Sequence, residues 1–127
     1  MTIGVMSEAQ DDIKLKIVVS CDDSSVRSKV QSGLSNKFRD INDVKVSSSA
    51  PDFELYVSVL KLTVDSSDVG VTLSILLTEP SAKDENARIL LSNHMYNTPL
   101  TEDDLDETYF EIVSFIDADF FEAKRQD

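Results

Sequence analysis

Hydrophobic and polar positions alternate most cleanly between Pro51 and Pro80. In the second half of that stretch Val69, Val71, Leu73, Ile75 and Leu77 point one way, and Gly70, Thr72 and Ser74 the other. A period of two carried by β-branched residues marks a strand with one buried face. The first half, Phe53 to Leu62, is a second apolar-rich run. Asp65-Ser66-Ser67-Asp68 separates the two, and short polar side chains of this kind bond their own backbone and accept tight dihedrals. The pair predicts a long β-hairpin, with the other elements covering one of its faces.

Upstream, Ile13, Leu15, Ile17 and Val19 alternate with Lys14, Lys16 and Ser20, which predicts a first strand. The Asp and Ser residues from Asp22 to Ser25 are favoured helix caps. Val26, Val30, Leu34 and Phe38 then recur every fourth residue, so a helix is expected from about Ser24 to Asp40. Gly33 borders its apolar stripe. Glycine weakens a helix by about 1 kcal/mol relative to alanine, so Gly33 is expected to let helix and sheet approach closely. Val44-Lys45-Val46 begins the next strand, and Ser47 to Asp52 interrupts it as a bulge, kink or short loop, since Pro51 cannot donate to a ladder. Ala87 to Tyr96 predicts a fourth strand, with Ile89, Leu91 and Met95 on one face. Thr101 and Asp104 have the spacing of a capping box before a long final helix, about Glu102 to Arg125, with a kink expected at Asp117-Ala118-Asp119. Leu105, Tyr109, Ile112, Val113, Ile116, Phe120 and Ala123 are expected to share its inward face.

The element order is therefore β-α-β-β-β-α. A strand-helix-strand start favours a right-handed crossover with parallel pairing, and two amphipathic helices need one sheet face between them. The fold class expected is α+β: a two-layer sandwich of a four-stranded, mostly antiparallel sheet with both helices packed on one face. Residues 1–11 read as a flexible N-terminal tail and 12–127 as a single domain. The open sheet face is expected to be polar, with Lys16, Glu54, Ser58, Ser74, Arg88 and Ser92 on it. Leu60, Leu62, Leu76 and Leu90 interrupt that polarity as an apolar patch. The element order is similar to small α+β domains of bacterial envelope and secretion proteins. With an added first strand it is also similar to the double-stranded-RNA-binding fold. No residue motif carries either likeness.

Charge changes the functional picture. The chain has 24 acids and 12 bases in 127 residues, a net charge of −12. Such a surface repels phosphate backbones and anionic lipids, which argues against nucleic-acid and membrane partners. The acidity concentrates at the end: residues 101–127 hold ten acids and two bases. A solvated helix face accounts for that distribution, and a docking surface for a basic protein is the sharper alternative. No run approaches the roughly 18 apolar residues of a membrane span, and the start has neither a basic region nor an apolar core of a signal peptide. A cytoplasmic location is the expectation.

The search for chemistry returns little. The three glycines, at 4, 33 and 70, are isolated, so no phosphate-cradling loop exists. One cysteine, Cys21, and one histidine, His94, fall short of the four ligands of a structural zinc site. They form a thiol–imidazole pair only if the fold brings them together. The run Glu102 to Glu107 lacks the alternate spacing and turn glycine of a calcium loop. No catalytic residue, cofactor or metal ligand is assigned. The expected function is a non-enzymatic protein-interaction or assembly module with a protein partner, a basic one in the sharper form, or a second copy of the chain. The alternative is a small enzyme or ligand-binding domain with a site between sheet and helices. The candidate interaction surface is Phe110, Phe115, Phe121, Asp103 and Asp106 on the last helix. Helical phase puts Phe110 and Phe121 on one flank, about 100° or more from the inward stripe, and Phe115 on the other.

Overall fold

A computed structural model describes residues 12–47 and 49–126; the expected tail, 1–11, lies outside the described residues. The elements are β1 (Ile13–Ser20), α1 (Ser24–Arg39), β2 (Val44–Val46), β3 (Phe53–Val64), β4 (Ser67–Pro80), β5 (Arg88–Pro99) and α2 (Glu102–Ile116). A π-helical turn, Asp117–Phe121, then leads into a short α3 (Glu122–Arg125). The strands form one five-stranded sheet in the order β2-β1-β3-β4-β5.

The fold is α+β, but the sheet is mixed and has five strands rather than four. β1 pairs in parallel with both β2 and β3, while β3, β4 and β5 pair antiparallel. The expected interruption at Ser47 to Asp52 separates two strands, one on each side of β1. Val46 lies beside Leu15 on one side and Phe53 beside Leu15 on the other. The connection is sewn to both flanks of β1: Ser47 N donates to Leu15 O (2.8 Å) and Asp52 N to Lys14 O (2.8 Å). The Asp52 carboxylate accepts from Lys14 N at 2.9 Å. Pro51, lacking a donor, falls in the link between ladders rather than inside one.

The hairpin turn occupies the first half of its polar stretch, one residue earlier than the centre of Asp65–Asp68. Asp65 and Ser66 both have positive φ (51° and 69°), and the ladder closes at Val64 and Ser67. Left-handed dihedrals at both central residues match the twist of a two-residue hairpin.

One face of the sheet is covered. Leu15, Leu55, Val71, Leu73 and Leu77 are fully buried, as are Val30, Leu34 and Phe38 from α1 and Ile112 and Ile116 from α2. Asp23 caps α1, its carboxylate accepting from Ser25 N (2.9 Å) and Val26 N (3.1 Å). Its other oxygen meets Lys61 of β3 at 3.0 Å, which fixes the helix start over the hairpin. Thr101 caps α2, accepting from Asp104 N at 3.2 Å and donating to the Asp104 carboxylate at 2.6 Å. Gly33 serves helix against helix, not helix against sheet. A Cβ there would stand 2.2 Å from Cε2 of Tyr109 on α2.

The expected kink takes the form of the π turn. One extra residue in a turn shifts everything after it by about 100°. That brings Phe121 from the flank into the inward stripe, where it is fully buried, its ring 5.2 Å from Phe53 and 6.0 Å from Phe38. Arg125 then clamps the chain end. It meets Asp43 through Nε (2.7 Å) and Nη2 (2.8 Å), Asp117 at 2.7 Å and Glu122 at 3.2 Å.

Candidate interaction surface

The five residues singled out on the last helix separate into three environments. Asp103, Asp106 and Phe110 lie on the flank of α2 that faces α1. Asp106 pairs with Lys37 of α1 at 3.2 Å. Phe110 is 61% exposed and borders a shallow depression of about 270 Å³ with Lys37, Ile41 and Val113. Phe115 turns to the opposite flank and packs edge-on against His94 of β5 (4.7 Å) and against Phe120 (5.8 Å). Phe121 belongs to the core, which removes it from any surface; the π turn is the reason. Phe110 and Phe121 therefore share no flank.

The open sheet face carries the expected leucines. Leu60 pairs with Thr72, Leu62 with Gly70, Tyr56 with Leu76, and Thr78 with Leu90, so all four leucines project from the side opposite the core. Val64 and Met95 join them, Met95 being 67% exposed. Leu60, Leu62 and Val64 follow one another along that face of β3, and Ser58, Thr72, Ser74 and Asn97 lie between them and Leu76, Leu90 and Met95. At one end of the face Arg88 meets Glu54 (2.8 Å) and Thr78 (2.7 Å), and the Tyr56 hydroxyl donates to Glu54.

β5 corrects the predicted faces. The ladder with β4 shifts between Leu77 and Thr78, so Leu91 is an extra residue. A bulge of this kind reverses the alternation beyond it. Ile89 lies opposite Glu79 on the helix side, whereas Met95 lies opposite Ser74 on the open side. Ser92, expected on the open face, lies opposite Leu77 on the covered side with His94 and Tyr96.

β5 is also the long edge of the sheet, paired on its outer side with no strand among the described residues. The other edge, β2, has three residues and carries Lys45; β5 has twelve. From Ile89 to Pro99 it holds no Asp, Glu, Lys or Arg, in a chain that is 28% charged. Edge strands are ordinarily blunted by shortness, charge, proline or a bulge; here Arg88 and the bulge at Leu91 sit toward one end and Pro99 at the other, and Ser92 to Thr98 between them carry none of these. Leu100 N donates to Val69 O (3.3 Å), which makes that pair hydrogen-bonded. The alternation of an antiparallel ladder then bonds Thr98, Tyr96 and His94 to β4 and turns the N–H and C=O of Asn93, Met95 and Asn97 to the free edge. Nothing in the sequence marked this strand as an edge. Its signal, an uncharged run of eleven residues, gains meaning only from the strand order.

Among the described residues the geometry does not bring Cys21 and His94 together. Cys21 follows β1 and His94 lies on β5, separated by β3 and β4. Three strand spacings put them about 14 Å apart, too far for a thiol–imidazole pair. A depression of about 440 Å³ beside Phe120 gathers Asp52, Glu79, Asp119 and Lys124, without histidine or cysteine. Asp52 there is engaged with the Lys14 backbone. A second depression, about 530 Å³, adjoins Gly33, Lys29, Asp103 and Asp106. Tyr109 at its edge has a buried hydroxyl with no hydrogen-bond partner, and burial pushes its pKa to about 12. Among the described residues no three His, Cys, Asp or Glu converge to hold a metal ion. No described helix is long and apolar enough to cross a membrane.

No family model and no curated protein sequence matches the chain. Among solved structures it is similar to protein XCC0632 from Xanthomonas campestris, described as DUF330. The TM-score is 0.53 at 10% identity, over 86% of this chain and 87% of that one. That likeness is one of fold. A PelC variant from Paraburkholderia phytofirmans, solved as a dodecamer, aligns with a TM-score of 0.49 at 12% identity over 84% of each chain. Hypothetical protein CT253 from Chlamydia trachomatis aligns at 0.45 and 5% identity, over 71% of this chain and 73% of that one.

Proposed function

We propose that the protein is a non-enzymatic interaction module that takes up an extended segment of a partner protein along β5. The observation that carries this reading is the twelve-residue free edge with its uncharged run from Ile89 to Pro99. Unpaired N–H and C=O groups in a row are a template for another strand, and alternate side chains supply selectivity. Exposed Leu90 and Met95 add apolar contact beside that row. An enzyme or ligand-binding reading has less support, because none of the three depressions beside the helices is lined by a histidine or cysteine.

The direct test replaces Met95 by proline. Its N–H points away from β4, so the ladder that builds the fold keeps its bonds while the edge loses a donor. Proteins captured from native lysate by the wild type and by Met95→Pro are compared by quantitative mass spectrometry, with circular dichroism verifying the fold. Loss of a captured protein by about tenfold or more supports strand addition, one charge-independent backbone bond and its register being worth about 1.4 kcal/mol. Identical capture by both proteins refutes it.

A further inference from the structure

The free edge has two unlike sides. On the open side Leu90 and Met95 are apolar and mostly exposed. On the covered side His94 and Tyr96 are overhung by one flank of α2. Asp104, Thr108, Glu111 and Phe115 recur at spacings of four, three and four, which places them in one stripe of that helix. Phe115 touches His94, which fixes the stripe above β5. Asp106 and Tyr109, which meet α1, lie on the other flank. Burial, and then the charge of Glu111, hold the Tyr96 hydroxyl above its ordinary range, in keeping with the place of the stripe above β5 that the Phe115–His94 contact fixes.

Among the described residues no cation pairs with the acids of this stripe. Neither Asp104 nor Glu111 enters an ion pair among the described residues, whereas Lys37 is held by Asp106, Lys124 lies near Asp52, and Arg125 is surrounded by three carboxylates. An incoming strand therefore meets backbone groups in the middle, apolar side chains on one side and uncompensated negative charge on the other.

The geometry points to an occupant of stated chemistry: an extended segment whose residues alternate between apolar and cationic side chains. The apolar set faces Leu90 and Met95, and the lysines or arginines face Glu111 and Asp104 and lie over Tyr96. This rests on strand addition at β5, as proposed above. Charge decides against a second copy. Antiparallel β5–β5 pairing puts both α2 helices on the same face of a continuous sheet, with two Asp104–Glu111 rows confronting each other. Like charges brought together in this way oppose docking, and opposite charges favour it.

The test uses a labelled peptide of about nine alternating valines and lysines, long enough to cover the edge at ~3.4 Å per residue. Two comparison peptides carry glutamate in place of lysine, or proline in place of alternate valines. Binding is read by fluorescence anisotropy at about 50 mM salt, where screening exceeds ~10 Å. Amide hydrogen exchange of Asn93, Met95 and Asn97 is followed by NMR. The expected result is lysine-peptide binding about tenfold or more tighter than glutamate-peptide binding, with protection of those three amides. Asp104→Asn with Glu111→Gln should weaken it about fivefold, each exposed pair being worth a factor of about 1.5 to 5. Equal binding and equal protection by the lysine and glutamate peptides overturns the cationic preference and leaves strand addition standing. Binding without amide protection, or undiminished binding of the proline peptide, overturns strand addition itself, as does failure of every peptide. Protected amides in the free protein together with a dimer in sedimentation velocity identify a second copy as the occupant and overturn the inference.

Discussion

Gly33→Ala sets two effects of opposite sign against each other. Gly33 lies inside α1, so helix propensity alone favours alanine by about 1 kcal/mol. The structure predicts the reverse. A Cβ at position 33 would lie 2.2 Å, 2.7 Å and 2.9 Å from three ring carbons of Tyr109. Carbon atoms rest at about 3.5–4.0 Å, so the nearest contact is more than ~1 Å too short. The ring cannot swing away, because Tyr109 is only 4% exposed and sits between the helices. Overpacking of this kind costs typically about 1–3 kcal/mol, and three simultaneous overlaps put it at the upper end, near 3 kcal/mol. The net loss is about 2 kcal/mol, which for a domain of this size lowers the melting temperature by roughly 7 °C. Urea denaturation of Gly33→Ala measures it, with Tyr109→Ala and the double variant completing a cycle. In the Tyr109→Ala background the ring is gone and the propensity gain should reappear, so alanine at 33 becomes neutral or stabilising. A Gly33→Ala midpoint equal to or above wild type would refute the claim that this glycine exists for close helix–helix contact.

Two further outcomes follow from the last elements of the chain. Phe121→Ala removes a fully buried ring wedged between Phe38 and Phe53 and should cost about 3–5 kcal/mol, whereas Phe110→Ala, on an exposed ring, should stay within about 0.5 kcal/mol; equal losses in denaturation would contradict the inward rotation at the π turn. The hydrogen bond from Arg125 holds the Asp43 carboxyl below the usual carboxylate range. Its stabilising contribution is therefore complete above about pH 4, the unfolded value, and disappears as pH falls through the lower folded value. Asp43→Asn should be less stable at neutral pH and should lose less on acidification; parallel acid limbs for the two proteins would show that the clamp adds nothing.

Regular periods were legible in the sequence and long-range choices were not. The alternation of β1 and of the hairpin, the four-residue recurrence in α1 and the inward stripe of α2 all identified their elements, because each period is a local property. The division of β2 from β3 was not visible. Val44 to Val46 and the run from Phe53 read the same whether they form one interrupted strand or two. Only bonds from Ser47 and Asp52 to opposite sides of β1 distinguish the cases. In β5 the three consecutive apolar residues Ile89, Leu90 and Leu91 break the alternation, and that break was the available sign of the bulge that moved Ser92 and Met95 to opposite faces. The expectation that Gly33 lets helix and sheet approach closely names the wrong partner: the close neighbour is Tyr109 in another helix, and no local pattern points to it. For the candidate surface, helical phase was enough to leave Phe110 outside. It misplaced Phe121 because an even 100° per residue does not survive a π turn.

The acidity of the final segment resolves into unequal parts once the neighbours are known. Glu102, Asp103 and Asp104 occupy the first turn of α2, where negative charge meets the positive end of the helix dipole. Asp106 and Asp117 are paired with Lys37 and Arg125. A purely solvated face would leave the unpaired remainder pointing anywhere. Instead Glu111 and Asp104 share one stripe with Phe115, which packs on His94 of β5, the longer edge of the sheet. An uncharged strand with open backbone groups invites any other strand, including that of an identical chain. Charge placed above the strand, rather than on it, leaves the backbone template intact while repelling acidic chains, which in a protein of net charge −12 includes its own copies. Under the strand-addition proposal the same two carboxylates would keep the edge from pairing with itself and would select the sign of the segment that it accepts.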